Sequence, residues 1–185
     1  MARTPSNMLP LGTKAVGFSL YDTVSETYKS LDQLKGSKGT VIMFICNHCP
    51  FVIHVNEALV AISKHYMDAG INFIAISSND VVNYPQDSPD RMKLHAKENN
   101  YPFPYLYDES QEIAKAYDAA CTPDIYVFND DLKLVYRGQL DDSRPGNSIP
   151  VTGNDLRHAL ECLLNNVENT NTQKPSIGCN IKWKE

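Results

Sequence analysis

Residues 41–50 read Val41-Ile42-Met43-Phe44-Ile45-Cys46-Asn47-His48-Cys49-Pro50, where an apolar strand pattern gives way to a helical one. Its first half belongs to a continuous apolar run, residues 40–45, which predicts a central strand covered on both faces. Pro50 suits the first turn of a helix, where its missing N–H has no partner to lose. Apolar residues then recur at helical spacing up to Gly70. The stretch therefore predicts a junction between a buried strand and a helix, with two cysteines at the junction.

Cys46 and Cys49 at this junction indicate redox chemistry. The N–H groups in the first turn of a helix have no intrahelical partner and carry partial positive charge, which stabilises a thiolate. Because the thiolate is the attacking form of cysteine, the sequence predicts Cys46 as the nucleophile. Cys49 lies one turn further along and is predicted to resolve a mixed disulfide. His48, between them, either favours the Cys46 thiolate as a partial cation or is simply solvated.

The elements around this junction alternate between strands and helices. Residues 72–77 predict a second buried strand, so that strand, helix and strand form a parallel crossover unit. The other predicted elements are, in chain order, a strand at 15–20, a helical turn at 30–36, a helix after Ser88, a helix after Asp108, a hairpin of strands 125–128 and 132–137, and a last helix capped by Thr152.

Composition narrows the class of protein. The chain has 185 residues, 42% of them hydrophobic and 21% charged, which suits one globular domain. A net charge of -5 offers no basic surface for nucleic acid or anionic lipid, so we expect neither partner. No segment approaches the ~20 apolar residues of a membrane span or forms a signal peptide. Five cysteines, an odd number, argue against a disulfide framework and predict a reducing, cytoplasmic location.

The chain divides by composition into residues 1–166, predicted as one domain, and residues 167–185, predicted as a polar linker and C-terminal tail. The tail contains Cys179 and Trp183, the one tryptophan of the sequence. Two interpretations of Cys179 remain open at this point. In the first, the tail moves so that Cys179 resolves a disulfide on the domain. In the second, Trp183 and Ile181 anchor the tail to the domain body and Cys179 has no redox role.

The chain resembles the thioredoxin-like superfamily, within it the AhpC/TSA (thiol-specific antioxidant) branch of peroxiredoxins and thiol-disulfide oxidoreductases. The resemblance rests on the Cys46–Pro50 junction, on Cys121-Thr122-Pro123 before a strand, and on the order of elements. It implies an α/β, thioredoxin-like fold, with a central mixed β-sheet and helices on both faces. It also implies a cis Pro123 against the cysteine pair, which would expose the Thr122 backbone to an extended substrate segment.

Two departures from the peroxiredoxin pattern favour disulfide exchange over peroxide reduction. Peroxiredoxins carry a threonine three residues before the peroxidatic cysteine, where this chain has Met43. They also carry an arginine near the Thr-Pro turn, where this chain has Asp124, and an ionised carboxylate there would repel a thiolate. Arg137 or Arg144 would have to supply the missing cation.

The sequence thus predicts a thiol-disulfide oxidoreductase with Cys46 and Cys49 as catalytic residues and a substrate surface shaped by Thr122 and Pro123. Cys121 is either a third active thiol or a small buried residue. The expected substrates are protein or small-molecule thiols and disulfides, with a redox partner protein and no organic cofactor. No metal is predicted, because structural zinc takes four ligands and there is no second cysteine pair. The alternatives are a peroxiredoxin-like peroxidase that forms sulfenic acid and a non-enzymatic thioredoxin-fold interaction module.

Overall fold

Strands and helices alternate through the computed structural model, which describes residues 3–185. The strands are β1 (Arg3–Pro5), β2 (Ser19–Asp22), β3 (Thr27–Ser30), β4 (Gly39–Phe44), β5 (Ile71–Ser77), β6 (Tyr105–Tyr107), β7 (Cys121–Thr122), β8 (Asp124–Asn129), β9 (Leu134–Gly138) and β10 (Ile177–Asn180). The helices are α1 (Leu31–Leu34), α2 (Pro50–Met67), α3 (Pro89–Glu98), α4 (Glu112–Ala116) and α5 (Asn154–Leu164), and a 3₁₀ turn covers Pro85–Asp87. The first two residues of the predicted domain lie outside the described range.

Seven of the strands form a mixed sheet in the order β3-β2-β6-β5-β4-β8-β9. β4, β5 and β6 run parallel, so α2 is the predicted crossover between β4 and β5. β8 pairs antiparallel with both β4 and β9. α2, α3 and α5 contribute to the core on one face of the sheet, and α1 and α4 contribute to the core on the other. The predicted α/β fold with helices on both faces of a mixed sheet is confirmed.

β4 is buried on both faces, as its apolar sequence predicts. Val41 and Met43 belong to the core beneath α2, whereas Ile42 and Phe44 belong to the opposite core. Full burial of one such side chain stabilises the folded state by roughly 1.5–3 kcal/mol. Because side chains of β4 pack into both cores, the strand is fixed in position. The loop that follows it, which contains Cys46, therefore starts from a fixed point.

α2 carries the second cysteine at its start. Pro50 is the first residue of the helix and Cys49 is its N-cap. The buried face of α2 has the predicted helical spacing and includes Val52, Val55, Leu59, Ile62 and Tyr66. Within residues 3–185, α2 included, no helix combines the length and apolar character that a membrane span requires.

A second sheet, in the order β1-β10-β7, connects both ends of the described chain to the cysteine site. Cys179 of β10 pairs with Arg3 on one side and with Thr122 on the other. The segment predicted as linker and tail therefore contains a strand that is hydrogen-bonded on both edges. Trp183 follows β10 and lies 5.9 Å from the Nζ atom of Lys115, measured to the ring centre.

Some local predictions are wrong. The strand expected at residues 15–20 begins at Ser19, and the short strand β6 was not expected. α4 and α5 begin after Gln111 and Gly153, which have left-handed backbone with φ of 64° and 71°, and not at Asp108 and Thr152. The Asp108 carboxylate nevertheless accepts a hydrogen bond from the Ala114 N–H at 2.9 Å, so it still stabilises the start of α4.

Candidate functional site

Cys46 and Cys49 lie at the predicted junction, but the helix N-terminus acts on a different sulfur from the one predicted. Cys49 is the N-cap of α2, whereas Cys46 lies earlier, in the loop that follows β4. The backbone N–H of Val52, in the first turn, is among the groups that lower the pKa of Cys49. The partial positive charge of the first turn therefore stabilises a thiolate on Cys49. The sequence assigned this effect to Cys46.

Three cysteine sulfurs meet beside Thr122. The Sγ of Cys49 lies 3.0 Å from the Sγ of Cys179 and 3.0 Å from the Thr122 carbonyl oxygen. The Sγ of Cys46 shares a hydrogen bond with the Thr122 hydroxyl, at 3.5 Å, and its titration is coupled to that of Cys49. Each of the three cysteines is at most 1% exposed, and all five cysteines of the chain are reduced. Cys49 is the central sulfur, because it contacts both of the others.

The contacts around Cys49 govern the titration of the pair. The interaction with Cys46 is the largest cause that lowers the pKa of Cys49, to about 4, with Cys179, Thr122 and Val52 contributing against the effect of burial. The pKa of Cys46 is raised well above its ordinary value by the interaction with Cys49 and by burial. The two thiols therefore titrate as one coupled pair, in which Cys49 is the more acidic sulfur.

Asp87 holds the turn between the two cysteines in place. Its buried carboxylate accepts hydrogen bonds from the Asn47 backbone N–H at 2.9 Å and from the Asn79 side chain at 2.8 Å. It also lies 2.7 Å from Nδ1 of His48, and this close pairing is the main cause that raises the pKa of His48. His48, which the sequence predicts as a partial cation beside Cys46, is thus paired with a carboxylate. The negative charge of Asp87 also raises the pKa of Cys46.

Cys46, His48 and Asp87 form a potential metal-ligating set, because their ligand atoms lie within 4.8 Å of one another. No sequence motif marks Asp87, which lies forty residues after Asn47 and reaches the turn only through the fold. The set offers three ligands, one fewer than a structural zinc site uses. The absence of a metal cofactor stays a prediction.

The bond between Thr122 and Pro123 is cis, as the resemblance implies. Thr122 borders both sulfurs, with its hydroxyl towards Cys46 and its carbonyl towards Cys49. Its backbone is not open to a substrate segment, because Cys179 of β10 pairs with it and Thr122 is 3% exposed. Pro123 lines a cavity of about 20 Å³, which is room for one water molecule. The C-terminal strand of the chain itself thus occupies the edge predicted for the substrate.

Cys121 and Asp124 flank this cis bond, and their partners are structural. Cys121 is fully buried, its Sγ lies 3.6 Å from the Pro123 carbonyl oxygen, and burial raises its pKa. Asp124 pairs with Arg137 at 3.0 Å, with both side chains fully buried. Arg137 also donates to the Asp118 carbonyl at 2.7 Å. Arg137, one of the two arginines that could have replaced the peroxiredoxin cation, is therefore held by the carboxylate. Arg144, the other, donates to the carbonyl oxygens of Asp141 and Ser143.

Solved structures with the same fold include proteins of two redox classes. The thioredoxin domain of a thiol-disulfide oxidoreductase from Bacteroides vulgatus is 16% identical, with a TM-score of 0.60 over 70% of this chain and 89% of that one. Peroxidoxin BcpB from Mycobacterium tuberculosis is 15% identical, with a TM-score of 0.64 over 88% of this chain and 100% of that one. At these identities the likeness shows the fold alone.

Closer similarity defines the family. An uncharacterized conserved protein from Geobacillus kaustophilus is 58% identical, with a TM-score of 0.98 over 100% of this chain and 97% of its own. A comparison with curated proteins finds no match. Residues 11–137, more than half of the chain and including Cys46, Cys49, Thr122 and Pro123, match the AhpC/TSA family. The chain therefore belongs to the AhpC/TSA family.

Proposed function

We propose that the protein is a thiol-disulfide oxidoreductase in which Cys46 and Cys49 cycle between dithiol and disulfide. The observation that carries the proposal is the placement of both thiols against Thr122 at the start of α2, with Cys46 3.5 Å from its hydroxyl and Cys49 3.0 Å from its carbonyl oxygen. The lowered pKa of Cys49 agrees with this placement. Attack on a disulfide requires a thiolate at neutral pH, and this pair supplies one. Membership of the AhpC/TSA family and the thioredoxin-like fold support redox chemistry at this position.

Access favours Cys46 as the sulfur that meets the substrate. Cys49 is enclosed by Cys179, by the Thr122 carbonyl and by the first turn of α2. Cys46 instead lies on the side of His48, whose side chain is 23% exposed. Since both sulfurs are nearly fully buried, a small disulfide requires less rearrangement of the site than a protein disulfide does.

The reaction begins when the Cys46 proton moves to the Cys49 sulfur. The Cys46 thiolate then attacks the substrate disulfide, which forms a mixed disulfide and releases one substrate sulfur as a thiolate that takes a proton from solvent. Cys49 loses its proton and attacks the Cys46 sulfur, which releases the second substrate thiol. The substrate has gained two electrons and two protons, and the pair has become the Cys46–Cys49 disulfide. Thiols of a redox partner protein return this disulfide to the dithiol.

Variants that lack one sulfur of the pair test this scheme. Oxidised glutathione is added to the wild type, to Cys46→Ser and to Cys49→Ser, and the products are alkylated and identified by mass spectrometry. We expect a Cys46–Cys49 disulfide in the wild type. Cys49→Ser should accumulate a mixed disulfide with glutathione on Cys46, because its resolving sulfur is missing. Cys162→Ser, which changes a cysteine of α5, is the matched control and should behave like the wild type.

Three other results would change the proposal. A mixed disulfide on Cys49 in Cys46→Ser, with none on Cys46 in Cys49→Ser, would reverse the order of attack. Fast consumption of hydrogen peroxide through a Cys46 sulfenic acid, with slow reaction of oxidised glutathione, would establish the peroxidase instead. Thiols that stay reduced with both reagents would leave the interaction module as the better explanation.

A further inference from the structure

Cys179 is the third sulfur of the site, and the proposed reaction does not use it. We propose that Cys179 is a further catalytic residue that takes over the disulfide from the pair, so that the Cys46–Cys49 disulfide becomes a Cys49–Cys179 disulfide and Cys46 returns to a thiol. The chain would then store the oxidised state in a buried bond. This inference rests on the proposed function, because it starts from the Cys46–Cys49 disulfide.

β10 holds Cys179 where this transfer requires it. The Cys49 and Cys179 sulfurs are 3.0 Å apart, about 1 Å more than the ~2.05 Å length of an S–S bond. Strand pairing fixes Cys179 on both sides, opposite Arg3 and opposite Thr122. At the preceding residue, Gly178, an added Cβ would meet the Thr122 carbonyl, so β10 and β7 approach more closely there than a side chain permits. Cys179 therefore reaches Cys49 without displacement of the strand.

The transfer is an internal exchange that balances without an added oxidant. The Cys179 thiolate attacks the Cys49 sulfur, and the Cys49–Cys179 bond forms as the Cys46–Cys49 bond breaks. The electron pair of the broken bond leaves with the Cys46 sulfur, and the proton lost by Cys179 ends on Cys46. One disulfide and one thiol are present before and after the step. The substrate disulfide of the proposed reaction has supplied the oxidation.

The charges around Cys179 change in the direction that favours this attack. In the reduced site, burial is the largest cause that raises the pKa of Cys179, to about 12, followed by the hydrogen bond and the negative charge of Cys49. Both contributions of Cys49 disappear when Cys49 enters a disulfide. Burial then remains, opposed by the positive charge of Lys182. Cys179 thus ionises more readily when there is a disulfide to attack.

The two disulfides differ in their protection from external thiols. The Cys49–Cys179 bond joins residues that are 0% and 1% exposed, and it connects the start of α2 to β10. Cys46, on the side of the partly exposed His48, is left as the thiol nearest to the entry. Reduction of the Cys49–Cys179 disulfide therefore begins with attack of Cys46 on Cys49, which restores the Cys46–Cys49 disulfide. A partner thiol then reduces the Cys46–Cys49 disulfide.

The order in which the disulfides form tests the transfer. The full-length wild type is mixed with oxidised glutathione, quenched with acid at successive times, alkylated and digested, and its cross-linked peptides are measured by mass spectrometry. We expect the Cys46–Cys49 peptide first and the Cys49–Cys179 peptide later. In Cys46→Ser, the Cys49–Cys179 disulfide should form at least about tenfold more slowly, because the entry sulfur is missing. Cys162→Ser should follow the wild-type time course.

Removal of Cys179 supplies the equilibrium half of the test. Cys179→Ser and Cys179→Ala should form the Cys46–Cys49 disulfide alone, and circular dichroism identifies whichever of the two keeps the fold. The oxidised wild type is the sum of two disulfides, whereas these variants can form only one of them. If R is the wild-type ratio of Cys49–Cys179 to Cys46–Cys49 disulfide, the equilibrium constant for oxidation of the variants in glutathione buffers should be lower by a factor of 1 + R.

The failures of the two proposals are distinguishable. Wild type that forms the Cys46–Cys49 disulfide and never the Cys49–Cys179 disulfide would overturn the transfer and leave the proposed function intact. A Cys49–Cys179 disulfide that forms as fast in Cys46→Ser as in the wild type would also overturn the transfer. Absence of the Cys46–Cys49 disulfide from the wild type and from both Cys179 variants would overturn both proposals.

Discussion

At the scale of single residues, the buried carboxylate of Asp87 connects the geometry of the reactive turn to its charge. It accepts a hydrogen bond from the Asn47 N–H and lies against His48, so it fixes the two residues between the cysteines. Through its negative charge it also raises the pKa of Cys46. One side chain thus orders the turn and disfavours the thiolate form of Cys46.

Asp87→Asn separates these two effects, because asparagine keeps an acceptor for the Asn47 N–H and removes the charge. We expect the pKa values of both Cys46 and His48 to fall, since the carboxylate raises both. NMR titration of His48 and the pH dependence of the thiolate ultraviolet absorbance measure the two shifts. Asp90→Asn, which neutralises an exposed acid in the first turn of α3, is the control and should move neither. An unchanged His48 titration in Asp87→Asn would contradict the assignment.

The residues that the sequence could identify are those marked by their immediate neighbours. Cys46 and Cys49 stand between a strand signal and a helix signal, and Thr122 and Pro123 stand before another strand signal. Asp87 has no such neighbours, and it meets the turn because the loop after β5 folds back onto it. The misplaced effect of the helix N-terminus has a different origin, since Pro50 in the first turn already marks Cys49, and not Cys46, as the N-cap.

At the scale of elements, length decided which predictions succeeded. β4, α2, β5 and α3 have enough residues for periodicity to show, and each was predicted close to its observed bounds. β1 and β6 have three residues each, too few for an alternating pattern. β10 was interpreted as part of a tail because its sequence, Ile177-Gly178-Cys179-Asn180, has one large apolar residue and contains glycine. Its pairing depends on β1 and β7, which are distant in the sequence.

α5 shows how an element depends on a residue outside it. The Asp141 carboxylate is buried and accepts hydrogen bonds from the Thr152 and Gly153 N–H groups, each at 2.6 Å, just before the helix begins. Asp141→Ala removes this acceptor and leaves buried N–H groups unpaired, so we expect a loss of roughly 2 kcal/mol in the free energy of unfolding. Urea denaturation at neutral pH measures the loss. Asp142→Ala, which removes a carboxylate from an exposed pair with Lys174, is the control and should cost much less.

The loss of unfolding free energy in Asp141→Ala depends on pH in a direction that can be predicted. Burial opposes the shift, but hydrogen bonds from Ser143, Gly153 and Thr152 lower the pKa of Asp141 below 3.8. A lowered pKa in the folded state means that the stabilisation is present above the unfolded value and is lost as the pH falls through the folded value. The difference between wild type and Asp141→Ala should therefore shrink in acid. A difference that stays constant down to acid unfolding would show that the charged carboxylate is not its source.

At the scale of the whole molecule, two sheets meet at the sulfur site. The seven-stranded sheet positions Cys46 and, through α2, Cys49, whereas the three-stranded sheet positions Thr122 and Cys179. Residues near both ends of the chain thus close the site, and neither sheet alone brings the three sulfurs together. The sequence predicts the seven-stranded part from local patterns. The three-stranded part arises from pairing between strand residues at least 57 positions apart, which no local pattern records.

This arrangement predicts that loosening β10 exposes the sulfurs without altering any of them. A Cβ at Gly178 would meet the Thr122 carbonyl, and a backbone carbonyl in a paired strand cannot move aside as a flexible side chain can. Gly178→Ala should therefore weaken the pairing of β10 with β7 and lower the free energy of unfolding by about 1–3 kcal/mol. Gly17→Ala is the matched control, because an added Cβ there meets nothing within 4 Å.

The readout for Gly178→Ala is the alkylation rate of Cys49 and Cys179 under native conditions, resolved by mass spectrometry. Both sulfurs are nearly fully buried in the wild type, so their alkylation requires local opening of the strand. We expect both rates to rise in Gly178→Ala while Cys162, on α5, keeps its wild-type rate. If all three rates rose together, the substitution would have promoted global unfolding, and if none rose, β10 would not be the barrier. A selective rise would identify the C-terminal strand as the element that closes the site.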